Sequence, residues 1–150
     1  MNSEEVFLCV RYSTQNGSQF QTARGIVVLL FEGVIAMSSP LLDKSKAFAL
    51  CIIKVCNEIK KEKRESVLTN QLLRSGTSIG ANIREAFYAH GKADFIAKLQ
   101  IALKECSESE YWLELLMESG YWQDPSALAQ CIEVKKLLVA SINTAKKNIK

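Results

Sequence analysis

Apolar residues recur at three- and four-residue spacing through most of the chain from Asp43 onward. This spacing places them on one face of an α-helix. Four helices are predicted, and they cover about residues 44–62, 67–89, 92–119 and 125–148. Short connections between long successive helices favour antiparallel neighbours. The pattern therefore predicts an all-α domain over residues 41–150, an up-down-up-down antiparallel four-helix bundle, and no strand pattern competes with it.

The ends of the predicted helices carry capping residues. Asp43 and Ser66 are the predicted N-caps of the first two helices, because their side chains can accept a hydrogen bond from a free N–H group of the first turn. Gly91 is predicted to stop the second helix. Lysines near the end of the first helix, such as Lys60, complement the helix dipole.

Two glycines interrupt the apolar face of the second helix, which consists of Leu68, Leu72, Ile79, Ile83 and Phe87. Gly76 and Gly80 would each cost about 1 kcal/mol relative to alanine inside a helix. Either a neighbouring helix approaches the backbone closely at this point, or the helix breaks near Ser75. The close approach is the favoured interpretation.

The third helix has the most regular pattern. Its core seam keeps alternating spacings of four and three, as helix bundles do, and consists of Phe95, Leu99, Ala102, Cys106, Ser109, Leu113 and Leu116. Ile101, Trp112 and Leu115 point roughly 120–160° away from that seam. A helix with two apolar faces has two surfaces to bury, so these three residues are the predicted oligomer face.

The fourth helix begins with Asp124 as its predicted N-cap and Pro125 at its first position. Its predicted inner face is apolar and consists of Leu128, Cys131, Ile132, Leu138, Ile142, Ala145 and Ile149. Together with the seam of the third helix, this face completes the predicted core.

Residues 1–40 do not share the helical pattern and are predicted to be an N-terminal extension. The polar cluster at residues 13–18 fits a loop or an unstructured tail, and Met37 is an alternative start of the native protein. Residues 26–37 are mostly apolar and follow Arg24, which imitates a signal peptide. That run contains Glu32, however, and is shorter than the roughly 20 residues that span a bilayer.

Composition places the chain among ordinary globular proteins, with 48% hydrophobic and 23% charged residues. The single histidine, His90, excludes a carboxylate-bridged metal bundle, which needs two Glu-x-x-His motifs. The five cysteines include no C-x-x-C pair, which is poor material for zinc. We expect no catalytic residue, metal or cofactor. The cysteines are expected to be buried thiols of a cytoplasmic protein, with a disulfide as the alternative.

Polar residues of the second helix form a second pattern. Arg74, Ser78, Asn82 and Glu85 lie within roughly 80° of one another, largely opposite the apolar face. On the third helix Glu110 falls inside the apolar sector, where an unpaired carboxylate is costly, so it needs a donor from a facing helix. A solvated face with one snorkelling glutamate is one interpretation; a polar network at a helix or subunit interface is the other.

Basic residues are candidate nucleic-acid contacts. They cluster around the turn between the first and second helices and on the second and third helices, and they are Lys60, Lys61, Lys63, Arg64, Arg84, Lys92, Lys98 and Lys104. The net charge of +3 permits contact with nucleic acid but does not require it. Several copies around one axis would sum the positive field and attract an anionic polymer.

The polar and apolar positions of the second and third helices resemble the four helix bundle protein family, which includes the 23S rRNA-intervening sequence protein. The residues that carry the resemblance are Leu73-Arg74-Ser75-x-x-Ser78-Ile79-x-x-Asn82-Ile83-x-Glu85-Ala86, Asp94-Phe95, Ile101-Ala102-x-x-Glu105 and Glu108-x-Glu110-Tyr111-Trp112-Leu113. The chain is also similar to the accessory variability determinant of diversity-generating retroelements. Arg84 departs from the pattern, since the family often has a small residue there.

The resemblance implies a four-helix bundle assembled into a ring, typically a pentamer, without known enzymatic activity. In the retroelement relative, such a ring is basic and associates with nucleic acid and a reverse transcriptase. The family's polar positions correspond to Arg74, Ser78, Asn82, Glu85, Glu105 and Glu110, which form the predicted interface network.

The resulting hypothesis is a cytoplasmic, non-enzymatic homo-oligomer, pentameric and associated with RNA or DNA or acting as a scaffold. The alternative is a protein-interaction module that partners a reverse transcriptase or another neighbouring gene product without touching nucleic acid. Neither hypothesis involves a membrane.

Overall fold

The computed structural model describes residues 27–31 and 34–147, with side chains described for residues 39–147. Four helices make up the domain: α1 (Pro40–Lys63), α2 (Val67–Phe87), α3 (Lys92–Glu118) and α4 (Ser126–Lys147). The predicted loop at residues 13–18, most of the predicted extension and Ile149 lie outside the described residues.

Successive helices are antiparallel neighbours, because their connections are short, at residues 64–66, 88–91 and 119–125. α2 packs against α1 and α3, and α4 packs against α3 and α1. α1 and α3 therefore occupy one diagonal of the bundle, and α2 and α4 the other. The predicted all-α, up-down-up-down four-helix bundle is confirmed.

A pair of strands precedes the helices. β1 (Val27–Phe31) runs antiparallel to β2 (Val34–Ser38), with Val28 opposite Met37. The sequence analysis predicted no strand and assigned this run to the extension. β-Branched and aromatic residues favour strands, and β1 reads Val-Val-Leu-Leu-Phe, so the signal was present in the apolar run.

Two predicted helix ends were wrong. α1 begins at Pro40, with Ser39 as its N-cap residue, and the N–H of Asp43 donates to the Ser39 carbonyl at 2.9 Å. Asp43 is thus in the first turn, because proline already fits the first helical position. Gly91 does not stop α2, which ends before Tyr88; it is the N-cap residue of α3, in extended backbone.

α2 is capped by a residue that the sequence analysis did not choose. Ser66 is at the N-cap position, but its side chain makes no capping hydrogen bond. The carboxylate of Glu65 accepts hydrogen bonds from the N–H groups of Leu68, at 2.7 Å, and Thr69, at 3.0 Å. Burial alone would raise the pKa of Glu65, but these hydrogen bonds outweigh it and lower the pKa below its ordinary value.

α4 begins at Ser126, one residue after the predicted first position, Pro125. Asp124 accepts hydrogen bonds from the N–H of Ser126, at 2.9 Å, and from its hydroxyl, at 2.7 Å, which lowers the pKa of Asp124. Cys131, Leu138, Ile142 and Ala145 are buried as predicted. Ile132 is 36% exposed, so its assignment to the inner face was wrong; it lies on the outer flank of α4.

The two glycines of α2 allow α1 to approach closely. A Cβ at Gly76 would lie 3.1 Å from two side-chain carbons of Ile52, and one at Gly80 would lie 3.7 Å from the Ser45 hydroxyl. α2 is continuous through both glycines. The predicted close packing is confirmed, and the alternative break near Ser75 is excluded.

On its other side α2 meets the core seam of α3. That seam is buried from Leu99 to Leu116, and Phe95 is partly covered. The Ser109 hydroxyl lies 2.9 Å from the Ser75 hydroxyl, and both side chains are fully buried. This contact joins α2 and α3 near the middle of their interface.

The described cysteines are free thiols, and Cys56, Cys106 and Cys131 are buried as predicted, while Cys51 is half-buried. The sulfur atoms of Cys106 and Cys131 lie 3.6 Å apart, between α3 and α4. The hydrogen bond with Cys106, together with burial, raises the pKa of Cys131 and keeps this thiol protonated.

Candidate interaction surface

The polar residues of α2 lie along the edge where α2 meets α3. Glu85 forms an ion pair with Lys98 of α3 at 2.5 Å. Closer to the middle of both helices, the Arg74 guanidinium lies 4.0 Å from the Glu108 carboxylate. These contacts use Lys98 and Glu108 of α3, and neither was in the predicted network.

Between these ion pairs the polar contacts are local. The Asn82 side chain donates to the Ser78 carbonyl at 2.9 Å, one turn earlier in α2. The carbonyl of Glu105 lies 2.8 Å from the Ser109 hydroxyl, one turn later in α3. Among the described residues, no ion pair involves the Glu105 carboxylate.

Glu110 lies on the other side of α3, toward α4. Its carboxylate pairs with the ammonium of Lys135, which is the facing-helix donor that the sequence analysis expected. The Glu110 side chain is 22% exposed and that of Lys135 is 36% exposed. The hydrogen bond from Lys135 to Glu110 raises the pKa of Lys135. The six predicted network residues therefore do not form one cluster within the chain. Those of α2 lie along the α2–α3 edge, whereas Glu110 lies on the side of α3 that faces α4.

The predicted oligomer face of α3 is partly covered by the chain itself. Ile101 is 40% exposed, whereas Trp112 and Leu115 are half-buried. Trp112 packs against the core and donates its indole N–H to Glu108 at 3.2 Å. Its ring centroid lies 5.1 Å from that of Tyr111, which is 52% exposed. The open apolar surface of α3 therefore centres on Ile101 and Tyr111.

The candidate nucleic-acid contacts divide between the two ends of the bundle. Lys60, Lys61, Lys63 and Arg64 lie at the α1–α2 end, where Lys60 donates to the Asn70 side chain at 2.7 Å. Arg84, Lys92 and Lys98 lie at or near the α2–α3 end, and Lys104 lies further along α3. The 21 residues of α2 separate the two ends by roughly 30 Å.

The arrangement of the four helices agrees with the comparisons to known proteins. Residues 39–140, which span most of the bundle, match the family described as 23S rRNA-intervening sequence protein. The chain belongs to this family.

A crystal structure of another protein is similar to this chain. That protein comes from Bacteroides thetaiotaomicron and is described as having unknown function and as a member of the S23 ribosomal protein family. The two sequences are 48% identical over 68% of this chain and 97% of that chain, with a TM-score of 0.67. A search of curated proteins gave no match.

Neither a metal-ligand cluster nor a membrane-crossing helix is found in the described part of the chain. Within residues 39–147 no cluster of three or more His, Cys, Asp or Glu side chains could hold a metal ion. No helix of this part has the length and hydropathy needed to cross a membrane. The surfaces that remain are the polar edge between α2 and α3, the basic ends and several exposed apolar residues.

The sequence analysis missed some of those apolar residues. Leu50 of α1 is 53% exposed and Ile53 is 39% exposed, and Val139 of α4 is exposed as well. The helical spacing could have found Leu50 and Ile53, because both fall outside the buried series Phe48, Ile52, Val55, Cys56 and Ile59.

Proposed function

We propose that this protein is a non-enzymatic, cytoplasmic homo-oligomer, a pentamer, that binds RNA through basic side chains gathered by assembly. The observation that carries the proposal is the open apolar surface of α3, where Ile101 is 40% exposed and Tyr111 is 52% exposed. The two side chains lie ten residues apart, roughly 15 Å along the helix axis. Large apolar side chains left exposed on a helix that already has a buried seam favour a further protein contact.

The basic residues support the second half of the proposal. Lys61, Lys63 and Arg64 are exposed at the α1–α2 end, and Arg84 is exposed near the other end. One copy offers a modest charge at each end, but copies around one axis repeat it, and the fields add. The family's description refers to 23S rRNA, and the similar protein carries a ribosomal protein family name, which favours RNA over DNA.

The assembly is tested by light scattering coupled to size exclusion at micromolar concentration. Five copies of the 16.8 kDa chain would give about 84 kDa. A mass of one chain would contradict the oligomer, and a different multiple would contradict the pentamer alone.

RNA binding is tested by fluorescence anisotropy with a labelled single strand at about 50 mM salt, where phosphate contacts are strongest. We expect the triple variant Lys61→Gln/Lys63→Gln/Arg64→Gln to bind at least about tenfold more weakly, with a shallower salt dependence. Lys136→Gln/Lys146→Gln/Lys147→Gln removes the same charge from α4 and serves as the matched control. Equal losses in both variants would refute a defined contact at the α1–α2 end.

A protein-interaction module without nucleic-acid contact is the second candidate function. The exposed apolar residues on α1 and α4, among them Leu50 and Val139, favour it because they offer protein-binding surface away from the basic ends. A reverse transcriptase or another neighbouring gene product would be the partner. No RNA or DNA binding by the wild-type protein at 50 mM salt, with intact assembly, would select this candidate.

A further inference from the structure

Basic and acidic residues are concentrated in different parts of this bundle. α1 carries seven basic residues when Arg64 at its end is included, against the three acids Asp43, Glu58 and Glu62. From Glu105 to Val134, by contrast, the chain has no lysine or arginine and seven acidic residues. That segment contains the second half of α3, so a basic helix and an acidic helix segment belong to the same domain.

The outer face of α1 combines basic and apolar residues. Lys46, Leu50, Ile53 and Asn57 follow one another at spacings of four, three and four, which keeps them on one side of the helix. All four are exposed, and Lys54 is exposed beside them. We name these five residues the basic face. It is turned away from the bundle, because Ile52 packs against α2 and Lys44 pairs with Glu133 of α4.

The outer face of the second half of α3 combines acidic and apolar residues. Tyr111, Glu114 and Glu118 are exposed, and Glu108 and Leu115 beside them are half-buried. We name these five residues the acidic face. Two cations border it: Arg74, 4.0 Å from Glu108, and Lys104, one turn earlier in α3. No ion pair within residues 39–147 involves Glu114 or Glu118.

The two faces point in different directions. α1 and α3 lie across the diagonal of the bundle, so one copy cannot bring its own basic face onto its own acidic face. Two copies can do so. A contact between two different surfaces of identical chains is head-to-tail, and it leaves one unpaired face at each end for further copies.

We infer that the basic face of one copy binds the acidic face of the next. Leu50 and Ile53 would pack against Tyr111 and Leu115, with the lysines beside Glu114 and Glu118. This contact covers Leu50, Ile53 and Tyr111 at once, and it pairs Glu114 and Glu118, which make no ion pair within residues 39–147. The inference rests on the proposed homo-oligomer and identifies its interface.

Charge reversal tests the contact. Lys46→Glu/Lys54→Glu reverses the basic face, and Glu114→Lys/Glu118→Lys reverses the acidic face. All four side chains are exposed, so folding should be retained, which a circular dichroism melt checks. In sedimentation velocity each double variant should raise the dissociation constant of assembly at least about tenfold, because like charges then meet.

The combined variant with all four substitutions is the decisive sample. It restores opposite charges between residues 46 and 54 of one copy and residues 114 and 118 of the next, and it has the net charge of the wild type, so its assembly should return to within a few-fold of the wild type. Lys136→Glu/Lys146→Glu, on the outside of α4, is the matched control and should assemble normally.

The outcomes separate this inference from the proposed function. A monomeric wild type would overturn both. A wild type that assembles, with reversal variants that assemble equally well, would overturn only this interface. Reversal variants that fail to assemble, with no recovery in the combined variant, would also overturn the interface, because the loss would then not depend on charge pairing.

Discussion

The side chain of Ile52 occupies the space beside the backbone of Gly76. Its Cγ1 and Cγ2 both lie 3.1 Å from the point where a Cβ of residue 76 would stand, and Ile52 is fully buried. Gly80, one turn later, faces Ser45 at 3.7 Å, which is an ordinary van der Waals distance. The two glycines of α2 therefore differ in how much room they have.

We predict opposite effects of alanine at these glycines. Gly80→Ala should raise the free energy of unfolding by about 0.5–1 kcal/mol, because alanine is the better helix former. Gly76→Ala should lower it by about 1–2 kcal/mol, because the stiff β-branched side chain of Ile52 must move within a packed core. Urea denaturation measures both. A Gly76→Ala variant as stable as Gly80→Ala would show that the Ile52 side chain can move aside without a loss of stability.

The Glu65 cap gives a second prediction. Glu65→Ala should lower the free energy of unfolding at pH 7 by about 1 kcal/mol, because two N–H groups of α2 lose their acceptor. Ser66→Ala is the control and should change little, since the Ser66 side chain makes no capping bond.

The same cap has a defined pH dependence. The pKa of Glu65 in the folded state lies below its ordinary value of 4.5, so its stabilisation is present above about pH 4.5 and is lost as the pH falls through the folded-state pKa. The difference between wild type and Glu65→Ala, measured by urea denaturation from pH 7 to pH 3, should shrink in acid. A constant difference over this range would contradict the role of the carboxylate.

The Glu110–Lys135 pair gives a third prediction, at alkaline pH. The hydrogen bond to Glu110 raises the pKa of Lys135 above 10.5, so the contribution of Lys135 is present below pH 10.5 and is lost as the pH rises through the raised value. Glu110→Gln should lower the free energy of unfolding by roughly 0.5–1 kcal/mol at pH 7, and by less once the pH exceeds the raised pKa of Lys135. Glu85→Gln, which breaks the more exposed pair with Lys98, should cost less. An equal or larger loss of stability in Glu85→Gln would contradict the expectation that the less exposed ion pair contributes more.

Thiol reactivity gives a fourth prediction. Burial raises the pKa of Cys56 to about 11, which leaves roughly one thiolate in a thousand at pH 8, and its side chain has no solvent exposure. Cys51 is half-buried. With iodoacetamide at pH 8, peptide mass spectrometry should find Cys51 modified well before Cys56. In 8 M urea both should react alike. Equal rates in the folded protein would indicate frequent opening of the α1–α2 interface.

The helices and the α3 seam were predictable because long periodic patterns record which side of a helix is buried. The starts of helices were harder, because several residues near each end could serve as caps. Asp43 has the right side chain, but Pro40 lies three residues earlier and fits the first turn; Ser66 has the right position, but Glu65 reaches the N–H groups.

The pairing of charges could not be predicted, because it depends on the register between helices. Glu110 needed a donor, and the sequence indicated that much. That Lys135 supplies it follows only from the packing of α4 on α3. In the same way, Arg74 lies near Glu108 because the contact between Ser75 and Ser109 sets α2 and α3 at that level.

α2 has small residues on two sides, with Gly76 and Gly80 toward α1 and Ser75 toward α3. Its backbone thus lies close to a neighbouring helix on both sides, and added volume at residues 75 and 76 cannot be accommodated without displacing packed side chains. In a library of all single substitutions, this helix should reject larger side chains at residues 75 and 76 while its outward positions accept nearly any polar residue. Over evolution, amino-acid replacements at inward positions would then accumulate most slowly in α2, the helix with the smallest side chains at its contacts.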